Sequence, residues 1–269
     1  MFSRSLLFSS FYSQVYLPLL GQGVDKSLFK SSINERIGCL FRQFNHQRET
    51  ELIFIKKRTT QPVNQVQFEQ LCSPYSRICL DLGTGDGKFP YNEAKKDPKT
   101  LFLGVDICPQ AMCEISIKAA KKPARGGVSN VGLIYSTVED LPQFLVNVAD
   151  KITINYPWSS LLRDLISPKK TILQRIGQLG KNQSTIELSI NYSIFQEKAY
   201  LAKLNLPKVD LNYIKKNLVP AYKECSMQLI ENKIFKKVEL NRNTTWGKHL
   251  SIAANRETLF LKFIVNKST

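Results

Sequence analysis

Short apolar runs alternate with longer amphipathic segments along this chain from about residue 51 onward. Runs rich in Leu, Ile, Val and Phe are typical of buried strands, whereas apolar residues that recur every three or four positions are typical of helices. Strands that alternate with helices predict a largely parallel sheet covered by helices on both faces. The predicted strands are 52–55, 77–82, 101–106, 131–135, 151–156, 185–192, 236–240 and 258–265.

The intervening segments predict helices, which prolines interrupt because proline lacks the backbone N–H that a helix interior needs. The helices are expected at 65–71, 90–96, 109–121, 141–148, 159–179 with a break at Pro168, and 195–232 with interruptions at Pro207 and Pro220. Only a loop separates the last two predicted strands, and such a pair favours an antiparallel hairpin at one edge of the sheet.

Residues 1–24 contain no Asp or Glu and are rich in Ser, Phe and Leu. This composition is typical of an organellar presequence or of an upstream extension that adds little to the fold. We therefore predict a leader-like or poorly ordered N-terminal extension over residues 1–50 and one folded domain over residues 51–269.

The chain of 269 residues carries 38 Lys and Arg against 22 Asp and Glu, a formal net charge of +16. An excess of this size favours a polyanionic partner, since neutralised phosphates release counterions. A membrane surface is the alternative, but no basic amphipathic helix stands out, and no apolar window approaches the roughly 18 residues that a spanning helix needs. Nucleic acid is therefore the predicted partner.

Cysteine and histidine usage argues against a metal site. The six cysteines are scattered without a C-x-x-C pair, and only two histidines are present. Scattered cysteines are typical of reduced thiols in a cytoplasmic protein. We expect neither a zinc cluster nor a Ser–His–Asp arrangement.

A glycine loop follows the predicted strand 77–82, with Gly83, Gly85 and Gly87 at every second position. Such a loop turns sharply and brings bare backbone against a ligand. The flanking acids Asp81 and Asp86 would repel a pyrophosphate but suit a ligand with an ammonium and a sulfonium group. We therefore predict S-adenosylmethionine (SAM), with Asp81, Gly83 and Gly85 behind its methionine portion. The alternatives are an ordinary glycine-rich β–α turn and a nucleotide site.

The glycine loop and the order of elements together predict a Rossmann-like, seven-stranded sheet of the SAM-dependent methyltransferase type. In such a sheet, ligands bind at the carboxyl ends of the strands. Asp106 ends its strand and is expected to accept both ribose hydroxyls, while Val138 and Glu139 follow the next strand and are expected to address the adenine. The alternatives are a helix cap at Asp106 and a solvated first-turn acid at Glu139.

Two tryptophans are candidates for binding a base. Trp158 follows Pro157, which ends the strand 151–156 and directs the next residue into the cleft; an aromatic side chain there offers a stacking platform. Trp246 lies in a polar stretch between the two closing strands, where a large aromatic residue favours ligand contact. Together they could clamp an extruded base beside the sulfonium. The alternative for Trp158 is packing against the sheet.

A basic, glycine-rich connector precedes the strand 131–135. Lys121, Lys122 and Arg125 within it form a flexible cationic hairpin suited to phosphates, with a solvated basic loop as the alternative.

Four motifs resemble one known family. They are LDLGTGDG (80–87), KKPARGGVSNV (121–131), EDLP (139–142) and PWSSLL (157–162). In this order they are similar to the aminoglycoside-resistance 16S ribosomal RNA methyltransferases of the kanamycin–apramycin type, which modify N1 of adenine-1408. The resemblance runs from about Leu52 to the C-terminus and has no counterpart for the first 50 residues.

The resemblance implies a SAM-dependent methyltransferase that acts on the assembled 30S subunit and confers resistance to aminoglycosides such as kanamycin and apramycin. It implies that Trp158 and Trp246 sandwich the flipped adenine, and we expect a monomer in the bacterial cytoplasm, with organellar import as the minor alternative. The implied cofactor pocket is Asp81, Gly83, Gly85, Asp106, Val138 and Glu139. The implied RNA-binding residues are Lys121, Lys122, Arg125, Arg256 and, in place of a basic residue that the family carries at the Leu204 position, Lys203.

Two other functions stay open at this point. One is a methyltransferase for another RNA atom, such as N7 of a tRNA guanine. The other is a noncatalytic ribosome-binding protein on the same scaffold, which the retained glycines and Asp106 disfavour. The segment 155–158 is only faintly similar to the Asn-Pro-Pro-Tyr motif of amino-group adenine methylases, since it lacks the first proline and the tyrosine.

Overall fold

Nine strands form one mixed sheet in the computed structural model, which describes residues 51–196, 201–202, 205–235 and 257–267. The strands are β1 (Glu51–Lys56), β2 (Thr59–Asn64), β3 (Arg77–Leu82), β4 (Thr100–Asp106), β5 (Val131–Tyr135), β6 (Ala149–Asn155), β7 (Gly180–Asn191), β8 (Met227–Phe235) and β9 (Thr258–Val265). Their order across the sheet is β2-β1-β5-β4-β3-β6-β7-β9-β8.

The five central strands, β5, β4, β3, β6 and β7, run parallel to one another. Each edge of the sheet is antiparallel: β1 pairs with β5 and β2 at one side, and β9 pairs with β7 and β8 at the other. Because parallel strands end at the same rim, the loops that follow all five central strands meet at one edge of the molecule.

Helices cover both faces of the sheet. The α-helices are α1 (Gln65–Cys72), α2 (Lys88–Ala94), α3 (Pro109–Ala119), α4 (Ser159–Ile166) and α5 (Lys170–Leu179), followed by the helical segment 211–224, which consists of Leu211–Tyr213, a π-helical turn Ile214–Leu218 and Val219–Glu224. Side chains of α2 and α3 pack with strand residues such as Ile55 and Leu133 on one face. The remaining helices pack on the other face in the largest apolar cluster, which includes Leu80 and Phe263. The predicted helix–sheet–helix arrangement is therefore confirmed.

Most predicted elements have nearly the predicted bounds. The strands at 77–82, 131–135 and 258–265 are confirmed to the residue, and Pro168 lies between α4 and α5 as expected. An antiparallel pair closes the sheet at this edge, as expected, but its strands are β8 (Met227–Phe235) and β9, whereas the predicted partner of β9 was 236–240. Local signals were sufficient here because each of these segments carries its own apolar pattern.

The predicted sheet type has seven strands, whereas the described residues form nine. The main omission from the prediction is β2, which is polar, contains Pro62 and is exposed at five of its six positions. Proline is tolerated there because an edge strand leaves some N–H groups unpaired. The β1–β2 hairpin thus extends the sheet beyond β5.

Two helix predictions are wrong in part. The segment 141–148 contains only a 3₁₀ turn at Gln143–Leu145. Residues 227–232, expected to be helical, belong to β8, whose largely exposed side chains give little apolar alternation. The strand predicted at 236–240 lies outside the described residues.

The division of the chain at residue 50 stays a prediction. Among the described residues, the helices are all too short or too polar to span a membrane.

Candidate active site

The glycine loop forms the centre of the site at the carboxyl ends of the parallel strands. Gly83, Gly85 and Gly87 have φ angles of +73°, +62° and +75°, and α2 begins directly after Gly87. A Cβ added to Gly83 would lie 2.9 Å from a methyl carbon of Leu161, but a Cβ on Gly85 would meet no described atom within 4 Å. The backbone at Gly85 therefore borders open space that a ligand can enter.

Asp106 joins this loop to the next one. One carboxylate oxygen accepts the backbone N–H of Gly85 at 2.8 Å, and the other accepts the backbone N–H of Cys108 at 3.0 Å. The N-cap of α3 is Cys108, whose side chain makes no cap bond, so the helix-cap alternative for Asp106 is wrong. A carboxylate has about four lone-pair sites, and Asp106 retains capacity to accept hydroxyl groups of a ligand.

Asp81 lies beneath the loop and is only 2% exposed. Its Oδ1 accepts hydrogen bonds from the Thr153 hydroxyl at 2.7 Å and from the Asn155 side-chain N–H at 2.9 Å. Both donors belong to the neighbouring strand β6. These bonds hold a buried negative charge at the floor of the site, where it favours a cationic ligand.

Asp86, the second acid that flanks the glycines, is paired with a lysine. Its Oδ2 lies 2.8 Å from Nζ of Lys88, and this contact raises the pKa of Lys88. The ion pair partly offsets the charge of Asp86. Asp81 and Asp106 are therefore the acids best placed to act on a ligand.

The loop after β5 carries the residues expected at the adenine. The side chain of Val138 is buried in the main apolar core, so only its backbone can address a ligand. Glu139 is exposed, and its carboxylate lies 3.8 Å from Nζ of Lys169. This environment favours the solvated-acid alternative, and a contact of Glu139 with adenine stays a prediction.

Trp158 stands at the end of β6 with a strained loop around it. It is the N-cap of α4 and is 49% exposed. Tyr156 and Ser159, on either side of Pro157 and Trp158, both have a φ of +52°, which is costly for a side-chain-bearing residue. The Tyr156 backbone N–H donates to the Ser189 carbonyl at 2.7 Å. Pairing with the neighbouring strand therefore holds this loop in its strained conformation, in which Trp158 is exposed at the rim. The stacking hypothesis requires this exposure.

Two residues at the rim were not predicted from the sequence as part of the site. Ile107 follows Asp106 and is 60% exposed, so its apolar surface is available to a flat ring. Asn155 is buried, and its Oδ1 accepts no hydrogen bond from the described residues. An apolar residue next to a strand-terminal acid was the signal for Ile107. Asn155 could not be identified in this way, because its position depends on a hydrogen bond to Asp81, 74 residues away in sequence.

The basic connector is an ordered turn. Pro123–Arg125 form one 3₁₀ turn, closed by the bonds Arg125 N–H to Lys122 O at 2.8 Å and Gly126 N–H to Pro123 O at 2.9 Å. The turn is thus hydrogen-bonded, and the flexibility expected of this hairpin stays a prediction. Lys121, Lys122 and Arg125 are exposed, as phosphate contacts require.

The hairpin and the glycine loop lie at opposite ends of α3. This helix begins just after Asp106 and has 11 residues, which corresponds to about 16 Å at 1.5 Å per residue. The structure therefore brings together Asp81, Gly83, Gly85, Asp106 and the Trp158 loop at one rim, with the basic hairpin well away from them. Trp246, Lys203 and Arg256 lie outside the described residues.

Comparison with known proteins matches most of the chain to one family, whereas tRNA (guanine-N(7)-)-methyltransferases, such as that of Geobacillus kaustophilus (28% identical), match only about half of the chain or less. The family model described as "NpmA: 16S rRNA (adenine(1408)-N(1))-methyltransferase" matches residues 54–265. A 16S rRNA (adenine(1408)-N(1))-methyltransferase from Escherichia coli is 30% identical over 211 residues, which cover 76% of this chain and 94% of that protein.

Solved structures agree with the sequence match. The crystal structure of the aminoglycoside resistance methyltransferase NpmB1 has a TM-score of 0.69 and 30% identity, covering 80% of this chain and 99% of that one. A tryptophan-to-alanine mutant of the 16S rRNA (adenine(1408)-N(1))-methyltransferase from Catenulisporales acidiphilia, crystallised with the cosubstrate SAM, has a TM-score of 0.73 and 25% identity, covering 80% of this chain and 97% of that one.

Proposed function

The chain belongs to the family of 16S rRNA (adenine(1408)-N(1))-methyltransferases, and we propose on that basis that it methylates N1 of adenine-1408 in 16S rRNA of the 30S subunit, with SAM as the methyl donor. The observation that carries this proposal is one rim of the sheet on which the Gly85–Asp106 link, the buried Asp81 and the exposed Trp158 occur together. We further propose that this methylation confers aminoglycoside resistance, in keeping with the name of a structural relative, the aminoglycoside resistance methyltransferase NpmB1.

The residues at the rim fit SAM. The open space beside Gly85 admits a ligand against bare backbone, and the buried carboxylate of Asp81 suits the positive charges of the methionine portion. Asp106 can accept ribose hydroxyls while it keeps its bonds to the loop. Ile107 offers an apolar surface to the adenine ring.

SAM supplies, when bound, an electrophilic methyl group on a positively charged sulfur. The chain's own task is to hold the base so that its N1 lone pair faces this methyl group, and adenine N1 needs no general base because it carries no proton. Positioning can contribute up to roughly 7–11 kcal/mol in favourable cases. A site without an acid–base pair is sufficient for this reaction.

Trp158 is the residue that we assign to the flipped adenine. Its half-exposed ring can stack on the base, and a ring face favours the positive charge that develops on N1-methyladenine, by about 0.5–2 kcal/mol. We further propose that Trp246 covers the opposite face of the base. The support for Trp246 is its sequence context and the family resemblance.

The basic residues are proposed to bind the rRNA backbone. Lys121, Lys122 and Arg125 are exposed on a hydrogen-bonded turn at the far end of α3 from Asp106, so they contribute to docking of the rRNA rather than to methyl transfer. Lys203 and Arg256 are proposed to contact flanking phosphates. We also propose that the protein acts as a monomer in the bacterial cytoplasm, where its ribosomal substrate is found.

Primer extension on 16S rRNA tests the proposed reaction. Purified 30S subunits are incubated with the protein and SAM, and reverse transcriptase is expected to stop next to adenine-1408 because N1 methylation blocks base pairing. The matched control is the Asp106→Ala variant. A full-length product together with a methylated tRNA guanine would favour the N7 alternative, which does not stop the polymerase.

Two further measurements distinguish the proposed function from the remaining alternative. A noncatalytic ribosome-binding protein would bind 30S subunits but give no heat with SAM in calorimetry. Expression in a susceptible bacterium is expected to allow growth on both kanamycin and apramycin. If folded protein that binds SAM leaves adenine-1408 unmethylated in the primer-extension assay, the proposal is overturned.

A further inference from the structure

Tyr91 links the basic hairpin to helix α2. The side chain is buried, with 1% of its surface exposed, and its hydroxyl donates to the carbonyl oxygen of Gly126 at 2.6 Å. The two residues are 35 positions apart in sequence. The remaining bonds described above close the turn on itself, whereas the Tyr91 bond fixes it to another element.

The backbone of the turn leaves little room for adjustment. Gly126 has a φ of +84°, and a Cβ added to Gly127 would lie 1.6 Å from the carbonyl oxygen of Lys121. The Val128 N–H also donates to the Ala119 carbonyl at 3.0 Å at the base of the turn. A turn this compact has few internal degrees of freedom, so the bonds that fix it to α2 and α3 decide where its cationic side chains point, and Tyr91 supplies the bond to α2.

Two more lysines surround the same tyrosine. Nζ of Lys95 lies 4.5 Å from the centre of the Tyr91 ring, and Nζ of Lys118 lies 5.1 Å from it. Both lysines are exposed, and an aromatic face attracts ammonium groups at such distances. Exposed lysines at the C-terminal ends of α2 and α3 thus lie against the buried ring whose hydroxyl holds the hairpin.

We infer that Tyr91 is a positioning residue for RNA binding, and that Lys95 extends the phosphate-binding surface of the hairpin onto α2. This inference rests on the proposed function, because it takes the RNA backbone of the 30S subunit as the partner. Phosphate contacts fix the register of a protein on its RNA. The Tyr91–Gly126 bond therefore sets the distance between docking contacts and the base-binding rim.

Tyr91→Phe tests the anchor, because it removes the hydroxyl and keeps the ring. We expect KM for 30S subunits to rise about fivefold, the factor that corresponds to one hydrogen bond, with kcat and SAM affinity unchanged. The matched control is Tyr222→Phe on the opposite face: Tyr222 is equally buried and donates to the Leu165 carbonyl at 3.2 Å. This control is expected to leave KM unchanged.

Lys95→Ala tests the extended surface. We expect the slope of log affinity for 30S subunits against log salt concentration to fall in magnitude by about 0.7–0.9, the value for one phosphate contact. Lys223→Ala, an exposed lysine on the opposite face, is the control and should leave the slope unchanged.

The outcomes separate the inference from the proposed function. If the wild-type protein methylates 16S rRNA and KM of Tyr91→Phe equals that of the wild type, the anchor is refuted. Equal increases of KM in Tyr91→Phe and Tyr222→Phe would also refute it, since they would reflect a general loss of stability. Absence of methylation by the wild type would instead overturn the proposed function.

Discussion

The side-chain carboxylate of Asp106 accepts a hydrogen bond from the backbone N–H of Gly85 at 2.8 Å, across 21 residues of sequence. This bond joins the loops that follow two adjacent parallel strands. A single carboxylate therefore shapes the glycine loop and remains available to a ligand.

Asp106→Ala is expected to weaken SAM binding at least tenfold in calorimetry. The substitution removes the ribose acceptor together with two bonds that order the site, and a hydrogen bond to a charged group contributes about 1.5–3 kcal/mol. Asp97→Ala is the control, since Asp97 also accepts a backbone N–H, from Lys99, and lies just before β4, away from the rim that carries Asp106. Equal losses in both variants would contradict a specific role for Asp106.

Trp158→Ala is expected to lower methylation of 30S subunits by about five- to 150-fold with SAM affinity unchanged, because stacking of one base on an aromatic ring contributes about 1–3 kcal/mol. Trp158→Phe should keep part of the activity, because the smaller ring still stacks. The same pair of substitutions at Trp246 tests the other half of the sandwich. Unchanged drug tolerance in both alanine variants would refute the sandwich.

Gly85→Ala is expected to abolish SAM binding while the protein still folds. The new Cβ enters the open space beside the loop, and a φ of +62° costs an alanine roughly 1–2 kcal/mol. Gly126→Ala carries a comparable strain, with a φ of +84°, at the distant hairpin. Both variants should show a lower melting temperature, but calorimetric SAM binding should survive in Gly126→Ala only.

Cysteine alkylation at pH 8 is expected to reach Cys108 before Cys79, as measured by peptide mass spectrometry. Burial and the neighbouring Asp81 raise the pKa of Cys79 to about 12, so that only about one thiol in ten thousand is ionised at this pH. Labelling of Cys79 should increase as the pH rises toward that pKa. Cys108 is exposed, so reagent can reach its thiol already at pH 8.

SAM should also slow the alkylation of Cys108. Its backbone N–H is bonded to Asp106, so a ribose held by that carboxylate would lie next to this residue and restrict access to it. A labelling rate of Cys108 that does not change at saturating SAM would place the ribose elsewhere.

Simultaneous replacement of Lys121, Lys122 and Arg125 by Ala is expected to reduce 30S affinity strongly at physiological salt, with SAM affinity unchanged. Each lost phosphate contact also lowers the magnitude of the salt slope by about 0.7–0.9. The charge-matched control replaces Lys215, Lys216 and Lys223, which are exposed on the opposite face. Equal losses in the two triple variants would indicate a nonspecific effect of net charge.

Much of the fold could be predicted because its signals are local. The runs that form β3, β5 and β9 are apolar, short and bounded by turn residues, so their limits were predicted to the residue. β2 could not be predicted in this way, because its polar residues and Pro62 are acceptable only on an edge, and its place at the edge depends on pairing with β1.

The residues of the candidate site also fall into two groups, those that the local sequence predicts and those whose environment depends on the fold. Glycines after a strand and an acid at the end of the next strand are adjacent in sequence to the elements that position them, so Gly85 and Asp106 could be proposed directly. The environments of Val138 and Asn155 depend on the core and on β3, which the local sequence does not describe.

The sequence by itself determined the order of the five parallel strands and of most helices, the glycine loop, and the residue types available for a cationic ligand and for RNA, because these follow from neighbours along the chain. Only the tertiary structure decided that Asp106 holds Gly85 rather than capping α3, that the side chain of Val138 is buried, and that Tyr91 anchors the basic hairpin. The physical reason is that each of these contacts joins residues far apart in sequence, whose distances are set by the packing of the sheet and its helices.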